Sequence, residues 1–268
     1  MNFQGFTSTL LRSAGRPPLI VRISTLPGLL QASLDAGVRA FCTDMEALRE
    51  PSGKAACEAL KTGNNMHFLQ TDVAIPVHES SLKARLSHGS VSIDCLNLRA
   101  NSSHTPSDQI VTAWRTIESH TSNGLPLLGL ADVDIASLRL IYSTAMTKPS
   151  TVMNRPFTQN QGDREVRAFC QEHSIVYQAD LTMMDSLEVS EDHPASQLRS
   201  LTGLETTAQA VQALMVGLGA GLVLDVPNEH EVQKTVRSLQ QVRNWTYVYA
   251  ARFRELLAEF QRDLENLK

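Results

Sequence analysis

The sequence predicts an α/β fold, a parallel (β/α)8 TIM barrel, and three observations carry that expectation. The chain has 268 residues, close to the roughly 250 that one such barrel needs. Along it, short apolar runs alternate with segments of helical periodicity, eight of each, as in a parallel sheet whose strands are joined by crossover helices. The first strand–helix turn, Ser24-Thr25-Leu26-Pro27-Gly28, lacks the GxGxxG spacing of a doubly wound dinucleotide fold, which disfavours the open-sheet alternative. A single domain over residues 1–268 is expected, with residues 246–268 as a C-terminal amphipathic helix.

After Arg16-Pro17-Pro18, the run Leu19 to Ile23 reads as the first strand, and Leu26 to Ala36 as a helix stopped by Gly37. Arg39 to Thr43 is strand-like, and Met45 to Lys61 is helical up to Gly63. Met66 to Thr71 is the third strand, Ser80 to Leu86 a helix before Gly89, and Val91 to Leu98 the fourth strand. Thr105 suits an N-cap and Pro106 a first turn, for a helix reaching Ser119 and yielding at Gly124. Leu127 to Leu130 is the fifth strand; Ile135 to Ala145 carries Leu138, Ile141 and Tyr142 on one helical face. Thr151 to Asn154 is the sixth strand, Asp163 to Glu172 a helix, and Ile175 to Gln178 the seventh strand. Met183 to Ser200 is polar and reads as the longest loop. Thr206 to Leu218 is helical, Gly221 to Val226 is the eighth strand, and Glu229 to Asn244 is a further helix. The tail, Tyr247 to Leu267, gathers Tyr249, Phe253, Leu256, Leu257, Phe260, Leu264 and Leu267 near one face. Such a tail packs across the barrel or offers a partner its apolar side.

Composition excludes several classes. Hydrophobic residues at 42% against 19% charged support a large core. Twenty-four basic and 28 acidic residues leave a net charge of −4, without the basic footprint of a nucleic-acid binder. Cys42, Cys57, Cys95 and Cys170 show no CxxC pairing, so reduced thiols are expected rather than a disulfide framework. No apolar run has membrane-spanning length, and Met1 to Arg22 lacks the layout of a secretory signal. A soluble, cytoplasmic protein is the expectation. His67, His78, His88, His104, His120, His173, His193 and His230 have no HExxH or paired spacing, so no metal is expected. The Gly217-Leu218-Gly219-Ala220-Gly221 run enters a strand instead of leaving one, the wrong direction for a phosphate loop.

Two segments resemble a known family. The run Asp163-Arg164-Glu165-Val166-Arg167-Ala168-Phe169-Cys170-Gln171-Glu172-His173-Ser174-Ile175-Val176-Tyr177-Gln178 is similar to the sixth helix and seventh strand of aldo-keto reductases, especially a fungal branch. Ala32-Ser33-Leu34-Asp35-Ala36-Gly37-Val38-Arg39-Ala40-Phe41 resembles that family's approach to its second strand, with weaker echoes at Ile93-Asp94-Cys95-Leu96 and Val152-Met153-Asn154-Arg155-Pro156-Phe157. The resemblance implies a (β/α)8 barrel that reduces carbonyls with NADPH, using a tyrosine tuned by a lysine–aspartate pair and a histidine. Position by position, this sequence departs from it. The aspartate falls on Cys42, the tyrosine on Ala47 or Leu48, the lysine on Asp72 and the histidine on Arg99. The carboxamide-binding Ser-Asn pair falls on Ala131-Asp132, the glutamine on Met153, and the stacking aromatic near Gln178, beside Tyr177. The basic cradle for the 2′-phosphate falls on Asp225-Val226-Pro227-Asn228-Glu229-His230, where acidic side chains repel a phosphate. The resemblance thus implies the scaffold of a divergent member lacking both the catalytic tetrad and the NADPH motif, with no cofactor expected.

In such a barrel the C-terminal strand ends line the site, and the resemblance puts Cys42, Asp44, Asp72, Arg99, Asp132, Asn154 and Gln178 there. Arg99 is placed to polarise a substrate oxygen while Asp72 moves a proton, or the two form an ion pair that only braces the mouth. Cys42 is a nucleophile or a buried structural thiol; Asp44 is a pocket acid or a helix cap. Asp132, Asn154, Gln178 and Tyr177 are candidate substrate-binding residues. Asp180, Asp185, Glu188, Glu191 and Asp192 form a solvated acidic loop or a lid. The favoured function is a cofactor-independent, non-redox enzyme (isomerase, cyclase, dehydratase or lyase) for a small organic metabolite; the fungal resemblance suggests specialised metabolism. The alternatives are a non-catalytic regulatory or scaffold subunit, and a residual NADPH-dependent carbonyl reductase using Tyr177. A protein partner or a homodimer through the helices or the tail stays open; nucleic acid and membrane are not expected partners.

Overall fold

A computed structural model describes residues 19–23, 27–51, 55, 58–60, 67–75, 77, 93–101, 104–121, 126–157, 163–182 and 189–266. The expected helix Ser80 to Leu86, the turn Ser24-Thr25-Leu26 and the stops Gly63, Gly89 and Gly124 lie outside the described residues. So do Arg16-Pro17-Pro18, Cys57, Lys61, Met66, His78, His88, Val91, Met183, Asp185, Glu188 and Leu267.

Eight parallel strands close into a barrel in sequence order. They are β1 (Leu19–Arg22), β2 (Ala40–Asp44), β3 (Phe68–Ala74), β4 (Cys95–Arg99), β5 (Leu127–Ala131), β6 (Thr151–Asn154), β7 (Val176–Asp180) and β8 (Gly221–Leu224). Closure is made by β1 on β8, with Leu19 opposite Leu222. The helices are α1 (Pro27–Asp35), α2 (Ser107–His120), α3 (Ile135–Thr144), α4 (Arg164–Glu172), α5 (Pro194–Thr202), α6 (Thr207–Gly217), α7 (Glu229–Val248) and α8 (Ala250–Glu265).

Alternate residues of each strand face opposite ways. One set, including Val21, Phe41, Leu69, Leu96, Leu98, Leu128, Leu130, Val152, Ala179 and Leu222, packs outward against the helices in the main core. The other set faces the lumen, where the apolar cluster is small: Ile20, Ala40, Cys42, Phe68, Cys95, Ala131, Met153 and Val223. Polar side chains fill the rest. The amides of Gln70 and Gln178 exchange two hydrogen bonds, at 3.1 and 3.0 Å, joining β3 to β7 through the interior. Asn97 Oδ1 accepts from Thr151 Oγ1 at 3.0 Å. Gly129 makes that contact sterically feasible, since a Cβ there would lie 2.0 Å from Thr151 Oγ1 and 2.1 Å from Asn97 Oδ1.

Helix starts follow local capping chemistry. Asp134 accepts from Ser137 N at 2.7 Å before α3, and Asn228 from Glu231 N at 3.1 Å before α7. Thr206 and Gln209 form a capping box on α6; each such cap contributes about 1 kcal/mol. Four expectations need correction. Pro106, not Thr105, stands at the N-cap of α2, because its extended backbone (ψ 142°) makes it the last residue before the helix. Asp44 ends β2 instead of capping a helix; the chain continues through Glu46 into a 3₁₀ turn, Ala47–Arg49, before helical positions at 58–60. The stretch expected to be the longest loop contains α5. Proline at N1 with its start capped by His193, and Gly203 closing it in the left-handed region, specify that helix. Asp163 precedes α4 in a left-handed conformation and is not its first residue.

The C-terminal helix α8 packs against α5, α6 and α7, burying Phe253, Leu256, Leu257, Phe260 and Leu264. Each contributes roughly 1.5–3 kcal/mol by leaving water. Tyr249, expected on that face, is exposed because it sits at the α7–α8 junction. Gly217 lets α8 approach: a Cβ there would lie 2.7 Å from Leu257 Cδ2 and 2.9 Å from Phe253 Cζ. The glycine-rich run therefore serves helix packing and strand entry. Gly129→Ala is expected to cost about 3 kcal/mol or more of stability in urea denaturation. Gly217→Ala is expected to cost less, about 1 kcal/mol, since side-chain ends can move aside there.

Candidate functional site at the barrel mouth

Arg22 ends an otherwise apolar strand, and its guanidinium reaches across the C-terminal mouth. Nη1 lies 3.4 Å from Asp72 Oδ2 and Nη2 3.4 Å from Asp180 Oδ2. Arg99 ends β4, where its register partner is Ala74. It folds back to donate from Nη2 to Asp72 Oδ2 at 2.6 Å, and from Nη1 to Asp132 Oδ2. Arg155, the first residue after β6, places Nη2 3.7 Å from Asp132 Oδ2 and Nε 3.8 Å from Asp180 Oδ2. These contacts form a closed ring of alternating sign: Arg22, Asp72, Arg99, Asp132, Arg155, Asp180 and back to Arg22. Asp44 lies outside the ring, 3.9 Å from Arg22 Nη1.

The ring has an inner and an outer side. Asp72 and Asp180 side chains are 2% exposed and Arg22 11%, whereas Asp132 is 15%, Arg99 20%, Arg155 43% and Asp44 56% exposed. Second contacts fix the inner carboxylates. Asp72 Oδ1 accepts from Asn97 Nδ2 at 3.2 Å, and Asp180 Oδ1 from Thr182 N at 3.2 Å and from the Thr182 hydroxyl. Burial works against the Arg99 charge, but the adjacent Asp72 and Asp132 carboxylates outweigh it and raise the guanidinium pKa. Arg22 is raised in the same way, with burial opposed by the negative groups around it.

Of the candidate residues, Cys42, Asp44, Asp72, Arg99 and Asp132 converge on the mouth. Cys42 Sγ lies 3.9 Å from Asp72 Oδ2; burial first, and then Asp72, push its thiol well above the ordinary range. It is a neutral thiol at pH 7. Gln178 lies in the lumen, paired with Gln70. Asn154 and Tyr177 fall on the outer side of the wall. Asn154 bonds the Val133 backbone at 2.9 and 2.7 Å, and with Tyr177 it donates to Asp163 Oδ2, at 2.8 and 3.0 Å. Sequence reasoning missed Arg22, Arg155 and Asp180 as members of one ring; the legible signal was a charged residue closing an apolar strand. Among the described residues, no group of three His, Cys, Asp or Glu is arranged to hold a metal ion. No helix among them is long and apolar enough to cross a membrane.

The fold is that of the aldo-keto reductases. A reductase of this type named MGS-M4, from a Medee basin deep-sea metagenome library, superposes with a TM-score of 0.67 at 13% identity, covering 85% of this chain and 90% of its own. An aldo/keto reductase from Brucella melitensis gives a TM-score of 0.67 at 15% identity, covering 85% and 94%. No protein-family model and no curated protein matches the sequence.

The fold family implies a nicotinamide cofactor, and the residues present do not fit one. The chain has four tyrosines, and none faces the mouth. Tyr142 is on α3, Tyr177 is bonded to Asp163 behind the wall, and Tyr247 and Tyr249 are exposed at the α7–α8 junction. Position 178, assigned to the stacking aromatic, carries an amide already paired through the lumen. The β8–α7 loop presents Asp225 and Glu229 to solvent. One turn into α7, Lys234 is held 2.7 Å from Glu205.

Three expectations follow. Arg22→Met leaves Asp72 and Asp180 buried with one cation fewer, and should cost about 3–5 kcal/mol in urea denaturation. Asp44→Asn, at a solvated position, should cost less than about 1 kcal/mol. Burial pushes the Asp163 carboxyl up to about 6, against about 3.9 for an unfolded aspartate. The folded state keeps this proton where the unfolded chain has lost it. The resulting stability is full below about pH 4 and is lost as pH rises through about 6. Compared with wild type, Asp163→Asn should lack a fall of about 3 kcal/mol between about pH 4 and pH 7; equal slopes would refute this.

Proposed function

We propose that this aldo-keto-reductase-like protein works without a nicotinamide cofactor, as a cytoplasmic, non-redox enzyme acting on a small polar metabolite at the barrel mouth. The observation that carries this reading is Arg99, a partly exposed guanidinium fixed between Asp72 and Asp132 where ligands enter such barrels. Stability alone gives no reason for charge here, because well-packed apolar residues in place of a buried ionic cluster are often neutral or stabilising. Arg99 is suited to polarise a substrate oxygen, with its geometry set in advance by Asp72. Asp72, enclosed by Arg22, Arg99 and Asn97, positions Arg99. In this reading Asp44, the more exposed carboxylate of the mouth, is the group that exchanges a proton with the substrate. That combination supports proton-transfer chemistry: isomerisation, cyclisation, dehydration or elimination.

A second reading, a non-catalytic subunit, draws support from the exposed Tyr247, Val248 and Tyr249 at the α7–α8 corner. NADPH and NADP⁺ titrations followed by Trp114 and Trp245 fluorescence should show no saturable change into the millimolar range. Micromolar binding would restore a reductase. Proton NMR of a small-metabolite mixture incubated with the protein, without cofactor, should show signals altered by wild type and untouched by a folded Arg99→Met variant. Turnover unaffected by that substitution would remove the mouth as the active site.

A further inference from the structure

The outer half of the ring contains a group that the proposed chemistry does not use. Asp132 follows β5 directly, and its one oxygen Oδ2 meets both Arg99 Nη1 and Arg155 Nη2. It does so from a left-handed backbone, φ 53°, a conformation that costs a non-glycine residue about 1 kcal/mol or more. The two guanidiniums do not depend on Asp132 for orientation, since Arg99 is also bonded to Asp72 and Arg155 lies against Asp180. Beneath them the Gln70–Gln178 pair bridges the lumen. Arg155, Asp132 and Arg99 are partly exposed at the mouth.

We infer that Asp132 is an internal carboxylate seated in an Arg99–Arg155 clamp, and that the clamp's ligand is the carboxylate of a small metabolite, which binds by displacing the Asp132 side chain. This rests on the reading of the mouth as a small-molecule site and specifies its substrate class. Guanidiniums favour planar carboxylates through charge-assisted hydrogen bonds. One singly charged carboxylate replacing another keeps the local balance with Asp72, Asp180 and Asp44, whereas a phosphate dianion would add a charge beside them.

The test is calorimetric titration of acetate, and separately of inorganic phosphate, at fixed ionic strength. It compares wild type, Asp132→Asn, Arg155→Leu and the double variant, each checked for a native circular dichroism spectrum. Without its internal competitor, Asp132→Asn should bind acetate about ten-fold more tightly than wild type. Adding Arg155→Leu should abolish that gain, and Arg155→Leu alone should weaken wild-type binding. Should Asp132→Asn fail to fold, Arg155→Leu carries the test from the half-exposed rim. The inference is overturned by a folded Asp132→Asn that binds acetate no better, by a gain that survives Arg155→Leu, or by a gain confined to phosphate. A gain without turnover of any metabolite would sustain the clamp and sink the enzyme; turnover without a gain would do the reverse.

Discussion

The mouth of this barrel is organised by one electrostatic constraint: three guanidiniums and three carboxylates alternate around a closed loop, so each ion has an opposite charge on both sides. Two unit charges about 4 Å apart attract by about 4 kcal/mol at an effective dielectric near 20, while removing each ion from water costs several kcal/mol. A single partner scarcely offsets that cost; two do. The ring members come from β1, β3, β4 and β7 and from the turns after β5 and β6. A one-residue slip in any of those strands would turn a charged side chain from the mouth into the apolar layer under the helices. The ring thus acts on strand register as well as on the chemistry of the site.

The lumen below it follows the same logic at lower charge. Asp72 is tied downward to Asn97, Asn97 to Thr151, and Gly129 provides the space in which they meet. Beside this column, Cys42 and Cys95 are fully buried thiols; burial pushes Cys95 up to about 12, so it packs as a small neutral side chain. The main apolar core lies between strands and helices, and the barrel interior combines a smaller apolar cluster with hydrogen-bonded polar side chains. Above it, at the rim, Arg155, Arg99 and Asp132 are in reach of solvent.

The barrel was legible because alternation of apolar runs with helical periodicity survives in a single sequence. Thr151–Asn154 was legible to the residue. The direction of side chains was not. In Val176–Asp180 the period of two puts Gln178 and Asp180 inside and Tyr177 outside, yet the residues alone do not say which parity faces the lumen. Asn154 and Tyr177 were placed in the pocket for that reason and stand instead around Asp163. Asp72, Arg99 and Asp132 were legible from the reductase resemblance, which marks strand ends. Arg22 and Arg155 were not, since nothing in local sequence brings residues 133 positions apart onto one shared carboxylate, Asp180. The helix Pro194–Thr202 was hidden by its polar surroundings, although proline at its start and glycine at its end are physical signals.

The reductase scaffold and this ring make different demands on the same places. Carbonyl reduction in that family uses a phenol whose proton is biased by a neighbouring cation, so the mouth must supply a positive field to a tyrosine. Here the position assigned to the lysine is Asp72, that of the aspartate is a neutral thiol, and that of the histidine is a guanidinium pinned between two carboxylates. The positive charge has moved from β3 to β4 and is compensated on both sides. No phenol faces this guanidinium. It is well suited to meeting a full negative charge, because an incoming anion can take over the contact that Asp132 now makes. The charge pattern at the mouth is thus a guanidinium held between two carboxylates, in place of the phenol and lysine that the resemblance implies.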